Sequence, residues 1–194
     1  MKTKVIRGLL LMVLLLAGNA PAWADGFVLS EWALSNYPSN NNGYVVTNGS
    51  PIASSISLYG GNYNYITLPA DAHTDYTKIM AADTVVTFHW EYTSFDNWGR
   101  SSFDPAFYLI AGNAIVLIND SSAIGSGSVS AWVNSGDVFG FRVATVDGCC
   151  GRAELTVSEL TERAPDQVPE PSTLALLGTG GAALFGRWRR RMAG

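Results

Sequence analysis

The chain has 194 residues, 47% of them hydrophobic and 14% charged, with 20 glycines and eight prolines. This length excludes two large domains, and the glycine-plus-proline share stays below that of low-complexity disorder, so one modest folded body is expected. The formal net charge of −4 conceals an asymmetry: residues 25–165 hold five basic against fourteen acidic side chains, a net of −9, and basic residues gather at both ends. A body this acidic repels a phosphate backbone, which excludes nucleic acid as a partner and suits cations.

At the N-terminus, Lys2, Lys4 and Arg7 precede an apolar run over 9–17, and Ala22-Trp23-Ala24 forms a small-x-small cleavage sequence. The run falls short of the roughly 20 residues that a spanning helix needs, so 1–24 reads as a secretory signal peptide cut after Ala24.

Beyond it, alternation with a period of two dominates. Short strands are predicted over 27–34, 44–47, 52–59 and 63–68, and His73 is placed in a loop of Ala, Asp and Thr. Val86, Phe88, Trp90 and Tyr92 then share one face and Val85, Thr87, His89 and Glu91 the other, the pattern of a half-buried strand. Further strands are expected over 106–109, 114–118, 129–133, 138–146 and 153–160, with Phe139, Phe141, Val143 and Thr145 on one face of the fourth. Turn chemistry separates them at Gly112-Asn113, 125–127, 134–137 and 147–151. Eight to ten short strands without an amphipathic helix predict an all-β fold over 25–163: an antiparallel β-sandwich, jelly-roll-like, with a closed barrel as the alternative.

Catalytic signatures do not emerge. No serine stands in a Gly-x-Ser-x-Gly elbow, and no phosphate loop, dinucleotide fingerprint or His-Glu-x-x-His occurs, so no catalytic residue is assigned and the chain is read as a non-enzyme. Asp96, Asp104 and Asp147 stand at predicted loop tips, where hard oxygen ligands suit calcium; the alternative is solvated turn residues. Tyr63 and Trp98, among Trp32, Tyr59 and Tyr65, offer aromatic faces for a glycan, with amides at Asn62 and Asn64; the alternative is ordinary strand and core packing. Cys149 and Cys150 are adjacent and are the only cysteines. In an exported chain they are expected to join as a vicinal disulfide locking a turn between Val146 and Arg152, against free thiols or an intermolecular bridge.

After residue 163 the composition changes. Residues 164–172 form a linker in which Pro169 and Pro171 stop secondary structure, and a helix can start after Pro171. The apolar stretch from 173 to 188 would be about 24 Å long as a helix, marginal for a bilayer. Arg187, Arg189, Arg190 and Arg191 follow and favour a cytoplasmic C-terminus. Residues 173–194 therefore read as a transmembrane helix with a basic tail.

The run Val168, Pro169, Glu170, Pro171, Ser172, Thr173, the glycine-bearing apolar stretch and the terminal arginines resemble the PEP-CTERM sorting signal of Gram-negative exopolysaccharide producers. The resemblance implies an exosortase partner, an inner-membrane precursor and release to the cell surface or extracellular matrix. The same tail also goes by the label of an ice-binding protein C-terminal domain, a label for the tail alone, and no regular Thr-x-Thr ladder accompanies it. Over 88–160, the Trp-x-Tyr strand, Asp-Pro-x-x-Tyr and Gly-Asp-x-Phe-Gly-Phe are similar to a domain of exported bacterial surface proteins and, more loosely, to CUB-like jelly rolls. The expected function is an exported surface or matrix protein that binds exopolysaccharide or another surface glycan. A structural surface protein without a ligand is the alternative, and a polysaccharide-acting enzyme comes third.

Overall fold

The structure, a computed structural model, describes residues 24–62, 71–97, 99–146 and 148–165. The chain divides after residue 163, and the sandwich belongs to the first of its two units. Its strands are β1 (Ala24–Asp25), β2 (Phe27–Val28), β3 (Ala33–Tyr37), β4 (Tyr44–Asn48), β5 (Ile52–Ala53), β6 (Ser55–Tyr59), β7 (His73–Ile79), β8 (Thr84–Ser94), β9 (Ala106–Ile110), β10 (Asn113–Ile118), β11 (Ile124–Val133), β12 (Val138–Ala144) and β13 (Ala153–Arg163). One sheet has the order β11-β8-β13-β6-β4, with β1 also on β13, and a second has the order β10-β9-β12-β7-β3, while β2 and β5 form a separate ribbon. Every pairing is antiparallel. The expected all-β antiparallel sandwich is the fold.

The strict alternation of β8 is the template for the core. Val86, Phe88, Trp90 and Tyr92 are buried, with Val85, Thr87 and His89 partly exposed and Glu91 exposed between them. Leu155 and Val157 of β13 and Ile56 and Leu58 of β6 continue the same inner face, because pairing in register carries inward positions across a sheet. From the opposite sheet come Phe139, Phe141 and Val143 of β12 and Tyr76 of β7. Phe88 meets Phe141 edge-on at 5.0 Å, and Trp32 stacks on Phe141 at 5.9 Å and on Tyr76 at 5.2 Å. Such aromatic pairs add about 0.5–1.5 kcal/mol each beyond their buried area.

Four expectations need correction. The segment 27–34 is not one strand: β2 gives way to a 3-10 turn over Leu29–Glu31 before β3 begins. His73 is not in a loop but opens β7, an interior strand between β12 and β3. Its sequence hides this because Asp75 and Lys78 interrupt the apolar pattern, and both are buried against partners: Asp75 accepts two hydrogen bonds from Arg142, each 2.7 Å, and Lys78 donates to Glu31 and Glu162. Residues 125–127 are not a turn either. They lie in β11, where Gly125 and Gly127 leave room for the Trp90 indole; a Cβ at Gly127 would stand 3.0 Å from Trp90 Nε1. The hairpin expected at Gly112-Asn113 turns one residue earlier, with Ala111 and Gly112 both at positive φ between Ile110 and Asn113.

The connections sort by end. At one end lie the turns 49–51, 80–83, 111–112 and 134–137, together with the chain's entry at β1 and its exit from β13, where Ala24 pairs with Glu162. At the other lie, of the described residues, 38–43, 60–62, 71–72, 95–97, 99–105, 119–123, 145–146 and 148–152. Tyr63, Trp98 and Asp147 lie outside the described residues, as do most of the signal peptide and the whole sorting segment with its expected transmembrane helix. Among the described residues, no helix is long and apolar enough to cross a membrane.

Candidate functional site at the loop end

The loops are tied to one another mainly through backbone. Phe95 N–H donates to Arg152 O at 2.9 Å and Asn97 N–H to Cys150 O at 3.0 Å, Ser101 N–H donates to Ser122 O at 2.8 Å, and Val146 N–H donates to Phe103 O at 2.8 Å. Cys149 and Cys150 are joined by a disulfide in the turn that accepts from Asn97. Gly151 follows at φ 153°, and a Cβ there would stand 2.2 Å from Phe95 O, so the two loops touch only because that side chain is missing.

Asp96 and Asp104 are buried at this end, Asp104 completely. Tyr92 ties them to the core: its hydroxyl donates to Asp104 O at 2.8 Å. Burial pushes the Tyr92 phenol above its ordinary range, and the negative charge of Asp104, with smaller effects from Asp96 and Asp120, pushes the same way. Asp120 accepts from Ser122 N–H at 2.7 Å and from the Ser101 hydroxyl, which hold its carboxyl below the usual range. Two of the three expected calcium ligands thus share the neighbourhood of Tyr92. Among the described residues, no group of three His, Cys, Asp or Glu could hold a metal ion.

Of the aromatics singled out in the sequence, Tyr59 lies on β6, and Tyr63, Tyr65 and Trp98 lie outside the described residues. Trp32 is buried in the core, stacked on Tyr76 and Phe141. Asn62 is held through its backbone: its main-chain N–H donates to Asn42 Oδ1 at 2.8 Å, and its main-chain O accepts from Asn42 Nδ2 at 2.9 Å. The feature sequence reading missed is Tyr44, on the edge strand β4, which faces Tyr59 of β6 in register. The rings stack at 4.6 Å, Tyr44 keeps 41% of its surface exposed, and the Arg152 guanidinium lies 5.2 Å from the Tyr44 centroid. Glu154 of β13 stands opposite Tyr59 in the next register position. Burial and a hydrogen bond to Glu154 push the Tyr59 phenol up to about 12. The strip therefore puts aromatic area, two phenols, a cation and an anion in one row across the outer face of the sheet. The sequence signal was the outward alternation of Tyr44, Val46 and Asn48, but nothing local says that β4 lies beside β6.

On the same outer face, His89 Nδ1 lies 3.2 Å from Ser128 Oγ, and its Nε2 lies 3.8 Å from Glu91 Oε1. The second distance exceeds hydrogen-bond reach, and the group lies on an open sheet face, so it falls short of an oriented Ser-His-carboxylate constellation.

Residues 167–191 match the PEP-CTERM protein-sorting motif. The chain carries an exosortase sorting signal. A PEP-CTERM motif marks a protein exported as a membrane-anchored precursor and processed to a cell-surface form, so this chain is an exosortase-targeted surface protein. No curated protein matches the chain. Among solved structures, the sandwich is similar to the K1 cleaved adhesin domain of Lys-gingipain from Porphyromonas gingivalis W83, at TM-score 0.45 and 8% identity over 74% of this chain and 99% of that one. It is also similar to a family 35 carbohydrate binding module from Clostridium thermocellum, at TM-score 0.32 and 14% identity over 70% of this chain and 97% of that one.

Proposed function

We propose that this PEP-CTERM protein binds exopolysaccharide or another surface glycan through the loop end of its sandwich. The observation that carries the reading is the exposed Tyr44–Tyr59 stack flanked by Arg152 and Glu154. Aromatic rings supply apolar area for the C–H surface of a sugar, and the phenols, guanidinium and carboxylate supply donors and acceptors for its hydroxyls. The rows and loops hold these groups in place before a ligand arrives, which lowers the entropic cost of binding. Tyr63 and Trp98, singled out in the sequence as further aromatic faces, are part of the same proposal.

Retention of the full chain, in detergent, on the producer's own exopolysaccharide tests this reading. Tyr44→Ala and Arg152→Gln should each weaken retention about tenfold, the effect of a lost ring contact or charged hydrogen bond. Trp132→Ala, at an exposed ring near the opposite end, should leave retention unchanged. A wild-type chain that is not retained overturns the reading in favour of a structural surface protein, and release of soluble fragments turns it towards an enzyme.

Calcium enters the proposal as an organiser of the loop end through Asp96, Asp104 and Asp147, because the first two are buried there. A calcium-dependent rise in Tm that chelation reverses supports it; equal Tm in calcium and chelator overturns it. For sorting through Val168 to Ser172, the double variant Pro169→Ala, Glu170→Ala should accumulate as unprocessed membrane-bound precursor. Normal maturation of that variant would count against processing at this motif.

A further inference from the structure

A second recess lies at the turn end, remote from the Tyr44 strip. Strand β13 is flanked by β6 as far as Ser158 and by β1 from Thr161, and between them the register slips. Ser158 pairs with His89 and Thr161 with Thr87, so Glu159 and Leu160 together stand opposite Phe88. Such a bulge re-aims a side chain. Here it keeps Leu160 in the core, 1% exposed, and turns Glu159 outward with its backbone at φ 54°, a conformation that costs a residue with a Cβ about 1 kcal/mol or more. Gly26, at φ 102°, donates its N–H to Leu160 O at 2.8 Å and bends the chain away from β13 toward β5. A Cβ there would stand 2.7 Å from Ala53 O.

The gap so formed is a cavity of about 590 Å³, inside the roughly 300–1,000 Å³ span of small-molecule sites. Four hydroxyl-bearing residues line it, Ser54, Ser55, Ser158 and Thr161, with the oppositely charged Glu159 and Arg163; the Ser54 hydroxyl also donates to Asn48 O. Gly26 and Leu160 also border it. We propose that this recess binds one neutral hexose unit. Hydroxyl-bearing side chains that donate and accept suit a polyol, and the opposite charges of Glu159 and Arg163 disfavour a ligand with a strong net charge.

This site shares no residue with the Tyr44 strip, so the two fail separately. The test is amide-resolved NMR of the full chain in detergent, titrated with D-glucose, D-galactose and D-mannose as probes. At least one hexose should shift the amides of Gly26, Ser55, Glu159 and Thr161 in a saturable way. Glu159→Gly keeps the left-handed backbone without strain, removes the carboxylate and should weaken the binding about tenfold. Ser158→Trp should fill the recess and abolish it, with its amide spectrum reporting whether it folds, and Tyr44→Ala should leave it intact. Absence of saturable shifts up to 100 mM of all three probes, identical shifts with glycerol, or unchanged binding in Glu159→Gly would each overturn the proposal.

Discussion

At one end of the sandwich, tight turns join the strands and both ends of the folded chain lie side by side; at the other, five longer connections meet. The two ends cohere by different physics. Near the turns, Lys78 Nζ is buried with Glu31 at 2.6 Å and Glu162 at 2.9 Å, beneath a ring contact with Trp32 at 5.8 Å. The loop end instead relies on backbone hydrogen bonds between loops, on neutral side-chain bonds such as those of Asn42 and Thr145, and on the Cys149–Cys150 turn. Side-chain ion pairs can be replaced one at a time, whereas a lattice of backbone bonds depends on where each loop can approach its neighbour. This contrast leaves the loop end's side chains, Tyr44 and Arg152 among them, available for recognition.

The largest expected effect breaks the turn end. Lys78→Met leaves the partly buried Glu162 without its cation, and urea unfolding should show a loss of about 3 kcal/mol. Desolvation alone would lower the Lys78 ammonium's pKa, but hydrogen bonds and charges from Glu31 and Glu162 more than reverse it, so the folded value lies above the ordinary one. The stability this contributes is complete below the unfolded lysine value near 10.4 and is lost as pH rises through the higher folded value. A wild-type stability curve that is steeper above pH 10 than that of Lys78→Met checks the sign.

The next test addresses the loop end. Gly151→Ala forces the 149–151 turn away from Phe95 and Asp96, and a loss of about 2 kcal/mol is expected, with faster amide exchange confined to the loops. Loss spread evenly over both sheets would show that the ends are not independent.

A smaller effect sharpens the Tyr44 strip. Tyr59 should titrate at about 12 by its phenolate absorbance, and Glu154→Gln should bring that value down by removing the carboxylate's charge. Because the folded value is raised, this phenol's linkage lowers stability as pH climbs from 10 to about 12. Smallest of all, Ser128→Ala removes an exposed hydroxyl beside His89 and should change stability by less than about 0.5 kcal/mol.

The legible part of the fold was the part with a clean period. Phe88, Trp90 and Tyr92 alternate without interruption, and so do Phe139, Phe141 and Val143; every one is buried. β7 was not legible, since Asp75 and Lys78 look like solvent-facing residues until Arg142, Glu31 and Glu162 are brought to them from distant parts of the chain. The glycines of β11 looked like a turn for the same reason: their true partner is Trp90, one strand away. At the candidate site, Asp96 and Asp104 were singled out by type, and their common neighbourhood around Tyr92 emerged only from packing. Tyr44 was invisible as a site residue because exposure depends on which strands form the sheet edge.

What the sequence alone determined is local or linear: the sorting motif, read by its order of residues, and the inner faces of the long strands, read by their period. The tertiary structure decided which strands became neighbours, and therefore which polar groups were satisfied in the interior and which aromatics remained outside. It also created the recess at Glu159. That recess depends on a bulge, a glycine turn and the approach of β1, three features whose separation in the chain says nothing of their distance in space.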